Sequence, residues 1–279
     1  MQLDDPSKPE FATWMSYQNF AKHVRHGRRF VFQDETQAFL DTVLATIKDR
    51  DLKIPKDQIL CRAQNGVDYR EVEDEDGNLS GLDVVGFGAV RMKPRQNRAK
   101  EGRVNPSGIP VLYLASDQIT AISEIRAWAG SVVSVAQFIV QRDLRALNLT
   151  SGHVRASPIH PHLDLMFSEK PPSVEAKQDA VWFDIDLAFS RPVTLSDDTA
   201  DYVPTQVLSE LFWSAGYDAI IYRSHFVEEG YNIALSNVED AEAINCAPYE
   251  VSGTKVEFEE IGSRWHSSKQ LERKKSRKR

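Results

Sequence analysis

The sequence predicts an α+β fold with a mixed sheet, on three observations. Strand-like apolar runs appear from Ile59 onward, separated by single amphipathic helices. They lack the regular strand-helix repeat that a doubly wound parallel sheet requires. The stretch before them, residues 1–58, reads as helix alone.

In the lead-in, Trp14, Met15, Tyr17, Phe20 and Val24 precede a break at Gly27-Arg28-Arg29. Within Thr36–Arg50, Phe39, Leu40, Val43, Leu44 and Ile47 then recur at helical spacing, with Asp34 or Thr36 placed to cap the start. Trp14 and its neighbours are expected to pack on that helix, and Pro55 closes the segment. Ile59–Gln64 reads as a strand carrying Arg62. Residues 65–110 are rich in Gly, Pro, Asn and charge, and an irregular stretch of that length is either functional or disordered. Val111–Ala115 is a buried strand, Asp117 starts a helix running to Trp128, and Val132–Val140 is another strand. Val181–Leu187 reads as one more, after a loop with Pro and His at 157–172. Pro204 fits the first turn of a helix with Val207, Leu208, Leu211 and Phe212 on its apolar face, ending at Gly216. Tyr217–Tyr222 is then a strand. The expected organisation is a helical extension over 1–58, a core over 59–262 and a basic tail over 263–279.

Composition narrows the function. With 41% hydrophobic and 9% aromatic residues among 279, the chain builds a real core. No run of about 18 apolar residues occurs, and Met1-Gln2-Leu3-Asp4-Asp5 lacks a signal-peptide pattern, so a cytoplasmic protein without membrane contact is expected. Cys61 and Cys246 lack the spacing of a disulfide framework or a zinc site. The net charge is -7, yet Lys269–Arg279 alone carries seven basic residues against Glu272. The acidic body left behind argues against nucleic-acid binding by the core, and the tail is open to RNA contact or to plain solvation. Glu71–Gly77 reads as a solvated acidic loop without a calcium-ligand pattern. His160-Pro161-His162, with no third ligand nearby, reads as an exposed loop rather than a metal site. P-loop, Rossmann, HExxH and GxSxG motifs are absent. By contrast, Arg91, Lys93, Arg95, Arg98, Lys100 and Arg103 face only Glu101, a cluster that invites a phosphate-bearing ligand about as readily as it faces water.

The informative unit is Gly102–Ala115 running into Thr120–Arg126. A loop, a strand and a helix of this kind can bring an anion anchor, an aromatic face and a carboxylate into one cleft. Cleavage of a phosphorylated glycoside requires that set: Arg103 for phosphate, Tyr113 against a planar base, and Glu124 for positive charge developing on a ribose carbon. On the residues alone, Tyr113 as core and Glu124 as a helix-surface acid remain open.

GRVNPSGIPVLYLASDQITAISEIR at 102–126, YVPTQVLSELFWSAGYDAIIYRS at 202–224 and GYN at 230–232 together resemble the RES domain, named for Arg, Glu and Ser. That domain is similar in fold to the diphtheria-toxin-type ADP-ribosyltransferases, whose core is a split β-sheet with flanking helices. The likeness spans roughly residues 59–240, and the Trp14 region looks like the extension on longer members. The resemblance implies an enzyme that consumes NAD by breaking the nicotinamide-ribose bond, commonly a bacterial toxin held by an antitoxin protein. Phosphate, water or a protein accepts the ADP-ribosyl group, so inorganic phosphate is an expected co-substrate beside NAD. A protein-modifying ADP-ribosyltransferase and a catalytically silent NAD or ADP-ribose sensor are the alternatives, and a homodimer is among the assemblies left open. Carried over by position, Arg103, Tyr113, Glu124 and Ser224 are the catalytic candidates. Arg62, Arg103, Tyr113 and Asn232 are the candidates for holding NAD, and His225 matches no role. The charged segment 65–101 and the Ile233-Ala234-Leu235 run after Asn232 depart from the family pattern.

Overall fold

Side-chain alternation along the central strands sorts the core onto two faces of one sheet. In the computed structural model, which describes residues 9–95, 98–150, 161–191, 199–255, 260 and 262, Leu112 and Leu114 point to one face while Tyr113 and Ala115 point to the other. The same division recurs at Ile221 against Ile220 and Tyr222, and at Ile233 and Leu235 against Ala234. Two-residue periodicity of this kind is what a strand imposes on its side chains. The basic tail from 263 onward and His160 lie outside the described residues.

In chain order the helices are α1 (Ser16–His26), α2 (Asp34–Ala45), α3 (Ala89–Met92), α4 (Gln118–Glu124), α5 (Pro161–Met166), α6 (Val174–Ser190) and α7 (Val203–Ser214). The strands are β1 (Asp51–Ile54), β2 (Ile59–Asn65), β3 (Asp68–Glu73), β4 (Leu79–Val85), β5 (Leu112–Ala115), β6 (Val132–Val140), β7 (Leu144–Asn148), β8 (Ala219–Arg223), β9 (Tyr231–Leu235) and β10 (Ala241–Glu250). Eight strands form a sheet in the order β1-β7-β8-β9-β5-β2-β6-β10, parallel only between β7 and β8. The α+β class is borne out. The sheet is also split. β2 and β5 share the single residue pair Cys61↔Ala115, whereas β2 pairs with β6 over seven positions.

One face of the β5-side half is covered by α1, α2, α6 and α7, whose side chains form one core with Leu147, Ile220, Tyr222 and Ala234. The helical lead-in thus belongs to the same packing as the sheet, and its last piece is the edge strand β1 rather than helix. Phe20 stacks on Phe39 with ring centroids 4.6 Å apart. The Trp14 ring also meets the His162 ring, with centroids 5.0 Å apart.

Val181–Leu187, expected as a strand, is the middle of α6. Ser173 caps that helix by accepting the Ala176 N–H, and Val181, Trp182, Ile185 and Phe189 recur at helical spacing. Asp184 and Asp186 are buried too. A helix buried nearly all round is indistinguishable from a buried strand over seven residues. The loop expected at 157–172 contains α5, whose His162 is nearly buried beside Asp184 rather than exposed. Residues 65–110 are not wholly irregular: β3 and β4 pair as a separate two-stranded hairpin.

Candidate active site

Where β2 and β5 part beyond Cys61↔Ala115, a cavity of about 270 Å³ opens. Its walls include Arg62 and Ala63 from β2, Tyr113 from β5, Glu124 from α4, Asn232 from β9, and Gly102 and Arg103 from the loop before β5. The split in the sheet is therefore what makes room for a ligand, with backbone on both sides and side chains from five segments converging.

Glu124 ends α4, whose start is fixed by Asp117. That carboxylate accepts from the Thr120 N–H at 2.8 Å, the Thr120 hydroxyl at 2.7 Å and the Ser116 hydroxyl at 2.7 Å. Burial alone would raise the Asp117 pKa, but these hydrogen bonds to the charged form outweigh it and hold the group below its ordinary value. At the other end, Glu124 Oε1 accepts from Ser224 Oγ at 2.7 Å and from Asn232 Nδ2 at 2.7 Å. Ser224 and Asn232 flank a tight loop closed by Ser224 N to Gly230 O at 2.9 Å. Glycine is required there, since a Cβ at 230 would run into the Thr120 hydroxyl. The helix carrying Glu124 and the loop carrying its partners thus pack in direct contact.

Arg62 Nη1 donates to the Tyr113 carbonyl at 2.8 Å, so a side chain spans the gap between the parted strands. The guanidinium is deeply buried, and burial pulls its pKa down to about 10. Among the described residues no carboxylate forms an ion pair with it, and its Nε is buried without a hydrogen-bond partner. A buried cation in that state is costly unless an anion joins it.

Arg103 is placed differently from a free anion grip. Its Nη1 donates to Phe189 O and its Nη2 to Arg191 O at 2.7 Å, so it satisfies carbonyls at the C-terminal end of α6. Its guanidinium carbon also lies 5.5 Å from the centre of the Tyr222 ring. Tyr113 donates its hydroxyl to Asn105 Oδ1 at 2.7 Å and accepts the Val104 N–H at 3.1 Å. Burial pushes its pKa well above the ordinary phenol value, which keeps it protonated as a donor.

The structure brings Arg62, Arg103, Tyr113, Glu124 and Asn232 to one cavity and places Ser224 on the Glu124 carboxylate. The wider basic cluster is dispersed: Arg91 lies over Phe87 at 3.5 Å and Lys93 pairs with Glu239 at 2.9 Å. His225 turns its ring edge-on to Phe226. Two lining residues that sequence reasoning passed over are Tyr202 and Tyr222. Both stand in the quoted 202–224 block, where each looks like ordinary core. Among the described residues no group of three His, Cys, Asp or Glu side chains could hold a metal, and no helix is long and apolar enough to cross a membrane.

A family model described as the RES domain matches residues 86–258. No curated protein matches the sequence. Among solved structures, a match is the crystal structure of the M. tuberculosis MbcT-MbcA toxin-antitoxin complex. It is 14% identical, covers 74% of this chain and 91% of that one, and superposes with a TM-score of 0.40.

Proposed function

We propose that this chain, which belongs to the RES domain family, is an enzyme that cleaves the nicotinamide-ribose bond of NAD and passes the ADP-ribosyl group to phosphate or water. The observation that carries the reading is one cavity holding both a carboxylate fixed by two neutral donors and a buried guanidinium with an unused N–H. Arg62 takes a pyrophosphate oxygen of the dinucleotide. Tyr113, Tyr202 and Tyr222 supply aromatic walls for its planar rings.

With Oε1 of Glu124 occupied by Ser224 and Asn232, Oε2 is the oxygen that meets a ribose hydroxyl. The fixed negative charge then stabilises the cationic ribose carbon as the glycosidic bond stretches. The bonding electrons leave with nicotinamide, which departs neutral from a cationic donor and needs no proton. A phosphate or water oxygen adds to the ribose carbon, and in the hydrolytic case the water's proton passes to solvent. No second carboxylate is required.

In this reading the chain is a toxin-type effector, and an antitoxin protein that covers the cavity is its expected partner. The test is to incubate the purified protein with NAD, with and without inorganic phosphate, and identify products by mass. Nicotinamide with ADP-ribose phosphate marks a phosphorylase, and nicotinamide with ADP-ribose marks a glycohydrolase. Intact NAD overturns the reading.

A further inference from the structure

The loop that carries Arg103 is fixed by two amides that belong to neither the cavity wall nor the sequence candidates. Asn105 is 1% exposed. Its Nδ2 donates to the carbonyls of Lys100 at 3.0 Å, Pro106 at 3.1 Å and Ile109 at 2.8 Å, while its Oδ1 receives the Tyr113 hydroxyl. One side chain thus ties together both ends of the loop and the phenol of β5. From α7, the buried Gln206 sends Nε2 to Gly102 O at 2.9 Å, Asn105 O at 3.1 Å and Glu101 Oε1 at 3.2 Å. Its neighbour Thr205 donates its hydroxyl to Arg103 O at 2.6 Å. Gly102 and Asn105 close on each other through a backbone bridge.

We infer that Asn105 and Gln206 are positioning residues for the proposed NAD reaction, acting through Tyr113 and Arg103. The inference rests on the function proposed above for its kinetic readout. An apolar core residue would hold the loop by volume alone, whereas amide donors shared among several carbonyls fix where each carbonyl points. That fixes the Arg103 backbone, and with it the side chain between the end of α6 and the cavity. Misplacement of a binding group by about 1 Å costs on the order of a hundredfold in rate, so these amides bear on turnover and not only on stability.

The test compares Gln206→Leu with Ser209→Ala, one turn further along α7, where the buried hydroxyl bonds only its own helix at Thr205 O. Both variants are expected to lose thermal stability. Gln206→Leu lowers kcat/KM for nicotinamide release by about a hundredfold, while Ser209→Ala retains it. In a double-mutant cycle, Asn105→Ala and Tyr113→Phe lose less together than the sum of their single losses, because both remove the bond between the Tyr113 hydroxyl and Asn105 Oδ1. Gln206→Leu kinetics matching those of Ser209→Ala would overturn the positioning role.

Should the unmodified protein leave NAD intact, the functional reading falls and the positioning claim is decided by hydrogen exchange. The Val104 N–H, bonded to the Tyr113 hydroxyl, then exchanges at least tenfold faster in Gln206→Leu than in Ser209→Ala, by the local-opening relation. Equal protection in the two variants overturns it on that ground as well.

Discussion

The hairpin β3–β4 and the loop 101–105 come from one charged stretch of sequence and meet opposite fates. The loop is held from three sides: by Asn105 within, by Thr205 and Gln206 from α7, and by the end of α6 through Arg103. The hairpin forms its own two-stranded sheet, with an exposed Arg70–Asp83 ion pair across it. Tyr69, Leu79, Leu82 and Val84 stand exposed on it, and it precedes the residues 86–258 that match the family. Composition did not separate the two halves; tertiary hydrogen bonds to buried amides did.

The sharpest way to break this contrast is Gly102→Ala. A Cβ there would sit 2.5 Å from the Tyr113 hydroxyl oxygen and 2.8 Å from Asn105 Oδ1. Overpacking of that kind costs about 1–3 kcal/mol, so a drop of several degrees in Tm is expected by thermal melting at this size. An unchanged Tm would mean the loop is as loose as the hairpin.

A smaller, pH-dependent effect is expected at Asp184, in the seam between the lead-in and α6. Burial raises its pKa to about 7 from the ordinary 3.8, opposed by the Gln18 hydrogen bond and by the charge of Arg191. Tyr17 lies in the same surroundings, and His162 Nε2 faces the carboxylate at 3.1 Å. The folded chain holds a proton that the unfolded chain releases between these two values, so stability declines as pH rises through that window and levels off above it. Asp184→Asn should flatten the profile in a series of melts. A wild-type stability that stays flat over the lower part of that window would contradict this, showing Asp184 already charged in the folded chain, as in an ion pair with His162.

The smallest effect belongs to the hairpin. Leu82→Ser changes stability by no more than about 0.5 kcal/mol, as is usual for exposed positions, and leaves nicotinamide release at the wild-type rate. A large loss would show that the hairpin contributes to the site.

Much of this was legible in advance where one signal dominated. β6 has the bounds its apolar run predicts, Val132–Val140. α7 follows from Pro204 and its apolar face. The three motif blocks meet because their strands are neighbours, with Ser224 and Asn232 converging on a glutamate 100 and 108 positions earlier. What stayed hidden depends on partners far along the chain. Asn105 and Gln206 look like ordinary polar residues until the structure shows which carbonyls they serve. Arg103 carries the charge of an anion anchor, yet its bonds to the end of α6 could not be read from a segment taken for a strand.

The split between β2 and β5 is proposed as an NAD-cleaving site built on Glu124. Nicotinamide release from NAD, measured for the wild type and for Glu124→Gln at matched Tm, tests it most directly. Turnover by the wild type is expected, with a loss on the order of 10²–10³-fold in the variant, the scale seen when a fixed electrostatic stabiliser is removed. Equal rates in the two proteins would contradict it.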